Sequence, residues 1–560
     1  MAKFLPSNPR LRSLILCTIS GALLALSFPP FKTWFFSYFG LAIMLYLIFN
    51  SLKFRQVFAR GYVLLFVFNA ISLYWIAGWE SDDIFLKIGG VATVIVHPLF
   101  MIIPVLLTYL IYKTAGRIYA MFLFPLLWTG FEHWHNLTEF SYPWIELGNT
   151  EVYNLNRIQF AEYIGVHGIT FLICVISVLI FLLASKIYKR EWKLNSSNTI
   201  VTTTILILLI LIPNITSGII LNSNSNNSYY SSPDSSKNIK AAIVQPNVDP
   251  FKKWASENKD AIVTKYINGL NAGLKYNPDL LVLHETAPPF NFLEDYNLNY
   301  ASRFFDFVNL NKKYVVIGIP HIAYYPDTLS APEDARIMSY SRRRYKHCNS
   351  AILLEPLKNT DEYQIHMKVK LVPFSENAPY NKQLPFMSNI IKWGVGISAW
   401  DKGDSLVIFD MNNSALNKNS KFSTLICFES VFSDYVREAA KNGAEFLVII
   451  TNDGWFGNSF GPIQHERFAV LRAIENRKWI IRSAQTGISC FIDPLGNIYD
   501  EIPVNTEGIA ARNIIANNEI TFYSYHGDII GKAGYYSCFL TLITGIILFY
   551  AKRRKHAKSA

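Results

Sequence analysis

The stretch KFSTLICFES, residues 421 to 430, decides the fold of the polar half of the chain. Residues 422 to 427 are almost all apolar or β-branched, which predicts a buried strand. Residues 433 to 442 then show a helical pattern that Gly443 can close. Cys427 therefore lies where a strand turns into a helix, and backbone N–H groups of such a turn favour a thiolate or an oxyanion. The alternative is a buried cysteine that acts as a small hydrophobic residue.

The composition indicates a membrane protein. The 560 residues are 51% hydrophobic and 15% aromatic, and only 17% are charged, which is low for a soluble globular chain. The net charge of +11 could suggest nucleic-acid binding. However, the basic residues lie mostly between long apolar spans, so we expect no nucleic-acid partner.

Eight apolar spans are long enough to form membrane-crossing helices of about 20 residues. They cover approximately residues 12–29, 34–51, 59–78, 87–111, 117–135, 160–186, 199–221 and 533–551. The first span has an alternative interpretation as a cleaved signal peptide, because a basic segment precedes it and Ala25-Leu26-Ser27 resembles a cleavage site. A signal peptide is disfavoured because the second span follows the first directly, with no mature domain between the two spans.

The charges of the loops predict the orientation of the spans. Basic residues fall on alternate loops, which the positive-inside rule places in the cytoplasm. They are Lys3, Arg10, Arg12, Lys53, Arg55, Arg60, Lys113, Arg117, Lys186, Lys189, Arg190, Lys193 and residues 552–555. Both termini are then cytoplasmic, and the segment between the seventh and eighth spans faces outward.

Cysteine and histidine spacing gives no sign of a metal site. The six cysteines show no CxxC pattern, and neither His133 nor His135 has a Cys or HExxH context. We therefore expect no catalytic metal and no other cofactor. The sequence alone does not decide whether Cys348 and Cys490 form a disulfide bond.

After residue 222 the pattern changes from long spans to short strand-like runs that alternate with helical stretches, which predicts an α/β domain. A polar, low-complexity segment separates the two regions. The expected organisation is a seven-span bundle (1–222), a linker (223–237), an α/β catalytic domain (238–515) and a return segment with the eighth span (516–560).

Three chemically distinct side chains each lie beside one of the apolar runs of this domain. Glu285 follows the run 280–284, Lys368 precedes the segment LVPFSE, and Cys427 ends its own strand. A carboxylate that accepts a thiol proton, an ammonium that stabilises an oxyanion and a thiol are the groups needed for acyl transfer through a thioester. Each residue taken alone also has a purely structural explanation.

The order Glu, Lys, Cys resembles the nitrilase, or carbon–nitrogen hydrolase, superfamily. The resemblance becomes closer at TNDGWFG (451–457), GPIQH (461–465) and RAIENR (472–477). Together with the spans on both sides of the domain, these motifs resemble the apolipoprotein N-acyltransferase family. That resemblance implies a multi-pass helical bundle joined to an α/β nitrilase-like αββα sandwich.

The resemblance also implies residue roles. Glu285 would be the general base, Lys368 the oxyanion stabiliser and Cys427 the nucleophile. Four further positions would support the intermediate or bind substrate: Glu376, Phe428, Glu429 and Trp254. Two residues depart from the family pattern, since Lys370 stands where His is usual and Phe428 where Tyr is usual. Any hydrogen bond from that tyrosine hydroxyl must be absent or replaced.

The implied reaction is a ping-pong transfer in the bacterial inner membrane. The donor would be a phospholipid, most readily phosphatidylethanolamine, which gives its sn-1 acyl chain to the cysteine. The acceptor would be the α-amine of the diacylglyceryl-cysteine at the N-terminus of an apolipoprotein. The apolar segment 378–400 is expected to act as a lid that shields the thioester from water, or to pack on the domain's own core.

Two other functions are compatible with the sequence. A membrane-tethered amidase would keep the same triad and transfer the acyl group to water. A non-catalytic membrane binding or transport protein would carry the α/β domain as a relic, although the spans hold few of the charges that transport pathways need.

Overall fold

The computed structural model describes residues 6–79, 84–189, 192, 196–254, 259–326, 330–339, 341–358, 362–380, 383 and 400–559. The chain divides into two compact units. Residues 1–77, 88–221 and 526–560 form a helical unit, and residues 78–87 and 222–525 form an α/β unit. Most of the expected lid segment, 378–400, lies outside the described residues.

Long helices dominate the helical unit, and shorter ones accompany the strands of the α/β unit. The helices of the described residues are α1 Pro9–Leu26, α2 Phe36–Phe49, α3 Phe54–Ser72, α4 Ile84–Thr114, α5 Arg117–Asn136, α6 Leu155–Ile158, α7 Ala161–Tyr188, α8 Ser197–Leu221, α9 Lys259–Gly273, α10 Leu298–Asn311, α11 Ser433–Lys441, α12 Phe460–Asn476, α13 Phe522–His526 and α14 Ile529–Ser559.

Several of these helices can cross a membrane. Within the described residues, six are long and apolar enough: Pro9–Leu26, Phe54–Ser72, Leu86–Thr114, Ala161–Tyr188, Ser197–Leu221 and Ile529–Leu548. The helices α2 and α5 also lie where spans were predicted, but α2 has only 14 residues. Many large apolar side chains on α8 and α14 are exposed, and a face of this size is not stable in water. The protein is therefore a membrane protein, with eight as an approximate count of its spans.

The strands of the described residues all belong to the α/β unit. They are β1 Asn238–Gln245, β2 Leu280–Val282, β3 Tyr314–Tyr324, β4 Arg336–Ile337, β5 Arg344–Leu354, β6 Gln364–Met367, β7 Ile408–Asp410, β8 Lys421–Ile426, β9 Phe446–Thr451, β10 Ile480–Ala484, β11 Ser489–Ile492, β12 Ile498–Ile502 and β13 Gly508–Ile515.

In the described part of the chain, these strands form two sheets. One sheet has the order β13-β1-β2-β3-β5-β4, with β6 also paired to β5, and the other has the order β12-β11-β10-β9-β8-β7. Buried apolar side chains from both sheets meet in one core, including Ile243, Val282, Phe422, Phe446 and Val448. The helices α9 and α10 pack on the outer face of the first sheet. The helices α11 and α12 pack beside the second, which completes the predicted αββα sandwich.

The sequence did not predict six of these strands, namely β4, β6, β7, β10, β12 and β13. The buried strand β10 contains Arg482 and Ser483. These polar residues interrupt the apolar run by which a buried strand is recognised in a sequence. The strand β13 returns to pair antiparallel with β1. The cysteines are all free, so Cys348 and Cys490 are not paired.

Candidate active site

The thiol of Cys427 lies at a sharp turn between a strand and a helix, as the sequence predicts. The strand β8 ends at Ile426, and Cys427 begins a short 3₁₀ turn with a φ of 51°, in the left-handed region. The side chain is partly exposed and is hydrogen-bonded to Thr451. A strained backbone at a reactive residue is typical of functional sites.

The protonation state of this thiol differs from the expectation. Burial raises the pKa of Cys427, and the negative charge of Glu285 raises it further. The charge of Lys368 acts in the opposite direction but does not compensate. The turn therefore holds a neutral thiol at rest, and a base must remove its proton before it can attack.

Glu285 follows β2 at the carboxyl end of the first sheet. Its Oε1 accepts hydrogen bonds from the Asn349 side-chain amide at 2.7 Å and from the Lys368 ammonium at 3.2 Å. Gly318 on β3 permits this placement, because a Cβ there would lie 2.6 Å from the Cα of Glu285. The carboxylate is 5% exposed, so these two donors set its position.

Lys368 follows β6 directly and is a buried cation between two carboxylates. Its Nζ lies 2.7 Å from Glu376 Oε1 and 3.2 Å from Glu285 Oε1. Burial alone would lower the pKa of Lys368, but the charges of Glu285 and Glu376 raise it above its usual value. Lys368 therefore stays an ammonium ion and donates hydrogen bonds, which excludes it as a neutral base.

Glu376 anchors the lysine from the other side. Its Oε2 accepts the backbone N–H of Val372 at 2.8 Å, which closes the loop that carries both residues. Asn349 also reaches Glu376 Oε1 at 3.4 Å. One amide and one ammonium thus hold both carboxylates in place.

Glu429 lies two residues beyond Cys427 and joins the two loops of the site. Its carboxylate accepts the backbone N–H of Ile426 at 2.8 Å and that of Val369 at 2.7 Å. His366 Nε2 lies 3.0 Å away, and both side chains are fully buried. Burial would raise the pKa of Glu429, but His366 and the two N–H groups lower it below the usual value. The ionised side chain ties the lysine loop to the cysteine loop.

The remaining predicted residues lie around this centre. Phe428 is buried, and its ring packs edge-on against Phe432 with centroids 5.1 Å apart. Lys370 places its Nζ 5.0 Å from the centroid of the same Phe432 ring. Both departures from the family pattern are therefore accommodated by one aromatic side chain. Trp254 is partly buried, and its indole Nε1 has no hydrogen-bond acceptor among the described residues.

Asn349 and Lys253 are site residues that the sequence did not reveal. The Nζ of Lys253 donates to the carbonyl of Thr286 at 2.8 Å and so supports the strand end that carries Glu285. Burial lowers the pKa of Lys253 to about 7, although Glu285 opposes this shift. Neither residue has a local signature, since Asn349 lies inside a strand and Lys253 in a polar turn.

A second network, also not assigned from the sequence, lies beneath the cysteine. His465 Nδ1 lies 2.8 Å from Asp453 Oδ1, and its Nε2 lies 2.9 Å from the hydroxyl of Ser430. That hydroxyl donates to the backbone carbonyl of Cys427 at 2.8 Å. Arg482 neutralises Asp453 at 2.7 Å. Asp453 belongs to the motif TNDGWFG and His465 to the motif GPIQH. These two motifs were therefore the sequence signal that could have identified the network.

Comparisons with known proteins agree with this architecture. A family model described as the N-terminal domain of apolipoprotein N-acyltransferase matches residues 20–179, and one described as carbon-nitrogen hydrolase matches residues 240–518. An apolipoprotein N-acyltransferase of Geobacter metallireducens is 30% identical over 535 residues, which cover 93% of each chain. One of Chlorobaculum tepidum is 27% identical over 519 residues, covering 91% of this chain and 92% of that protein. The chain belongs to the apolipoprotein N-acyltransferase family.

Proposed function

We propose that the protein moves an acyl chain from a membrane phospholipid to the α-amine of an N-terminal diacylglyceryl-cysteine, through a thioester on Cys427. The observation that carries this proposal is the buried Lys368 ammonium between Glu285 and Glu376. With Glu285 as base, Lys368 as oxyanion donor and Cys427 as nucleophile, the site would hold the three groups that acyl transfer needs.

In the first half-reaction, Glu285 accepts the thiol proton of Cys427. The raised pKa of this thiol makes the base necessary, because little thiolate forms on its own near neutral pH. The thiolate attacks the carbonyl carbon of the sn-1 ester, and Lys368 donates to the resulting oxyanion together with a backbone N–H of the 427–428 turn. The intermediate collapses when the ester C–O bond breaks. The lysophospholipid leaves as an alcohol after it takes the proton from Glu285.

In the second half-reaction, the α-amine of the acceptor attacks the thioester carbonyl. Glu285 accepts the amine proton, and Lys368 again stabilises the oxyanion. The C–S bond then breaks, an amide forms, and the proton returns to the sulfur of Cys427. Water must be kept from the thioester between these steps, since hydrolysis would release a free fatty acid.

The helical membrane unit suits a reaction between two lipid substrates. Both substrates carry acyl chains, so a catalytic unit joined to a helical bundle can receive them from the bilayer. We infer phosphatidylethanolamine as donor, cytoplasmic termini, and a catalytic domain over residues 238–515 on the outer face of the bacterial inner membrane. The basic loops on alternate sides of the spans support this orientation.

A two-step experiment tests the proposal. The purified full chain is first incubated with a phospholipid labelled in its sn-1 acyl chain, and the intact mass of the protein is measured. A diacylated lipopeptide with a free or a blocked α-amine is then added. We expect an acyl adduct on the protein that is lost in Cys427→Ala, and transfer of label to the free amine only.

Other outcomes identify the alternatives. Steady release of labelled fatty acid without an acceptor would identify a hydrolase that transfers to water. Absence of any adduct on the wild-type chain, with the lipid bound, would identify a non-catalytic binding protein.

A further inference from the structure

A buried cluster of two histidines and one aspartate lies within the helical unit, apart from the residues of the candidate active site. His133 is in the last turn of α5, His167 is in α7, and Asp528 directly precedes α14. The Nδ1 atoms of His133 and His167 lie 2.7 and 2.6 Å from the same oxygen, Asp528 Oδ2. The three side chains are at most 6% exposed.

Glu146 completes the cluster from the far side of one ring. Its Oε1 lies 3.1 Å from His167 Nε2, while Asp528 faces Nδ1 of the same imidazole. Glu146 is 4% exposed, and no donor among the described residues reaches its second oxygen, Oε2. A carboxylate that accepts from the outer nitrogen of a histidine is the arrangement that orients metal-binding histidines in proteins.

The contacts bring four polar side chains together in a buried environment. His167 faces a carboxylate oxygen at each ring nitrogen, and His133 faces Asp528 through Nδ1. The potential ligand atoms of His133, His167 and Asp528 all lie within 4.8 Å of one another.

A neighbouring carboxylate, Glu132, does not belong to the cluster. It accepts hydrogen bonds from Trp128 Nε1 at 3.0 Å, from the Leu147 N–H at 3.0 Å and from the Thr170 hydroxyl at 2.7 Å. These three donors lie outside the group of His133, His167 and Asp528.

The backbone of Gly531 packs closely against the cluster. A Cβ at this position would lie 1.8 Å from Asp528 Oδ2 and 2.8 Å from His133 Nδ1, so any larger residue would displace these side chains. Ligand atoms about 2.0–2.1 Å from a tetrahedral Zn²⁺ are about 3.3 Å apart. The two N–O separations therefore need to open by about 0.6–0.7 Å, which small side-chain rotations supply.

We propose that His133, His167 and Asp528 bind one divalent transition-metal ion, of which Zn²⁺ is the best match, with Glu146 as the outer partner of His167. Two imidazole nitrogens and one carboxylate oxygen suit such an ion, and water completes the coordination. A histidine nitrogen must be unprotonated to bind a metal, so on binding each Nδ1 presents its lone pair to the ion.

The ion would link three segments of the helical unit: α5, α7 and the residues directly before α14. Asp528 begins the segment that returns the chain to the bundle, whereas the two histidines belong to α5 and α7. The site is therefore structural, and it does not alter the expectation that catalysis needs no metal.

Metal analysis of the full chain tests the proposal. The protein is purified in detergent without a polyhistidine tag, treated with a chelator, dialysed against ZnSO₄ or CoCl₂ and analysed by mass spectrometry for bound metal. We expect about one ion per wild-type chain and a small fraction of that in His167→Ala, Asp528→Asn and Gly531→Ala.

Two matched controls locate the ion. His135→Ala removes a buried histidine from the same helix without touching the cluster, so binding should persist. Among the described residues, Cys427, Asp453 and His465 form another group that could hold a metal, so Cys427→Ala should also bind normally.

The cobalt spectrum serves as a readout that needs no variant. A site of two imidazoles and a carboxylate gives visible d–d bands but no thiolate-to-cobalt charge-transfer band. A wild-type chain without bound metal, a charge-transfer band, or loss of metal in Cys427→Ala would each overturn the proposal. If the cluster variants do not fold, the wild-type stoichiometry and spectrum still decide it.

Discussion

Replacing Asn349 tests whether the site depends on a group outside the proposed triad of Glu285, Lys368 and Cys427. The amide of Asn349 lies 2.7 Å from Glu285 Oε1 and is one of two donors that position this carboxylate. Its side chain is 2% exposed, so water does not replace it easily. Asn349→Ala removes this donor, and among the described residues Lys368 remains as the side chain that donates to Glu285.

The expected loss follows from the strength of this hydrogen bond. A hydrogen bond to a charged group contributes about 1.5–3 kcal/mol. If the misplaced base loses that stabilisation in the transition state, acylation slows by about 10- to 150-fold, since about 1.4 kcal/mol corresponds to a factor of ten. Asn349→Asp should be slower still, because it places a third carboxylate beside Glu285 and Glu376.

Single-turnover acylation with a labelled phospholipid, followed by intact mass, measures this rate constant. Asn311→Ala is the matched control, since its amide binds the Phe307 carbonyl at a helix end and should leave the rate unchanged. Thermal unfolding of both variants checks that the fold is kept. An Asn349→Ala protein that folds and acylates within twofold of the wild-type rate would refute the assigned role of this amide.

Three further outcomes are expected. Lys368→Met should reduce formation of the Cys427 acyl adduct by at least about 10²–10³-fold, the cost of one lost oxyanion donor, as measured by intact mass. Gly318→Ala places a methyl group 2.6 Å from the Glu285 backbone, and should lower the free energy of unfolding by about 1–3 kcal/mol and slow acylation together. Glu429→Gln should lower the thermal midpoint at pH 7. Because the pKa of Glu429 is depressed, its contribution is lost as the pH falls, so the difference from wild type should narrow below about pH 4.5 in scanning fluorimetry.

Local pattern was enough to predict the membrane helices and the strand that ends directly before Cys427. A run of buried apolar residues before a turn, and spans of about 20 apolar residues, are signals contained in one segment. The roles proposed for Glu285, Lys368 and Cys427 came from chemistry at strand ends, together with resemblance to a family. The structure brings Glu285 and Lys368 into direct contact.

Residues whose importance depends on distant partners could not be predicted in this way. Asn349 lies inside β5 and shows only strand character in the sequence. His133 and Asp528 meet although 395 positions separate them, and no spacing rule covers such a distance. The protonation state of Cys427 depends on burial and on Glu285, and both depend on the finished fold.

The pairing of β1 with β13 has a consequence for how such a protein can be built. Asn238 and Ile515 are direct partners in the ladder, so the chain enters and leaves the sandwich at neighbouring points of one sheet edge. Partners of this kind have Cα atoms about 5 Å apart. A module with adjoining ends can be inserted into a single loop between two membrane helices without forcing those helices apart. The same closeness of the two ends favours circular permutation of the sandwich.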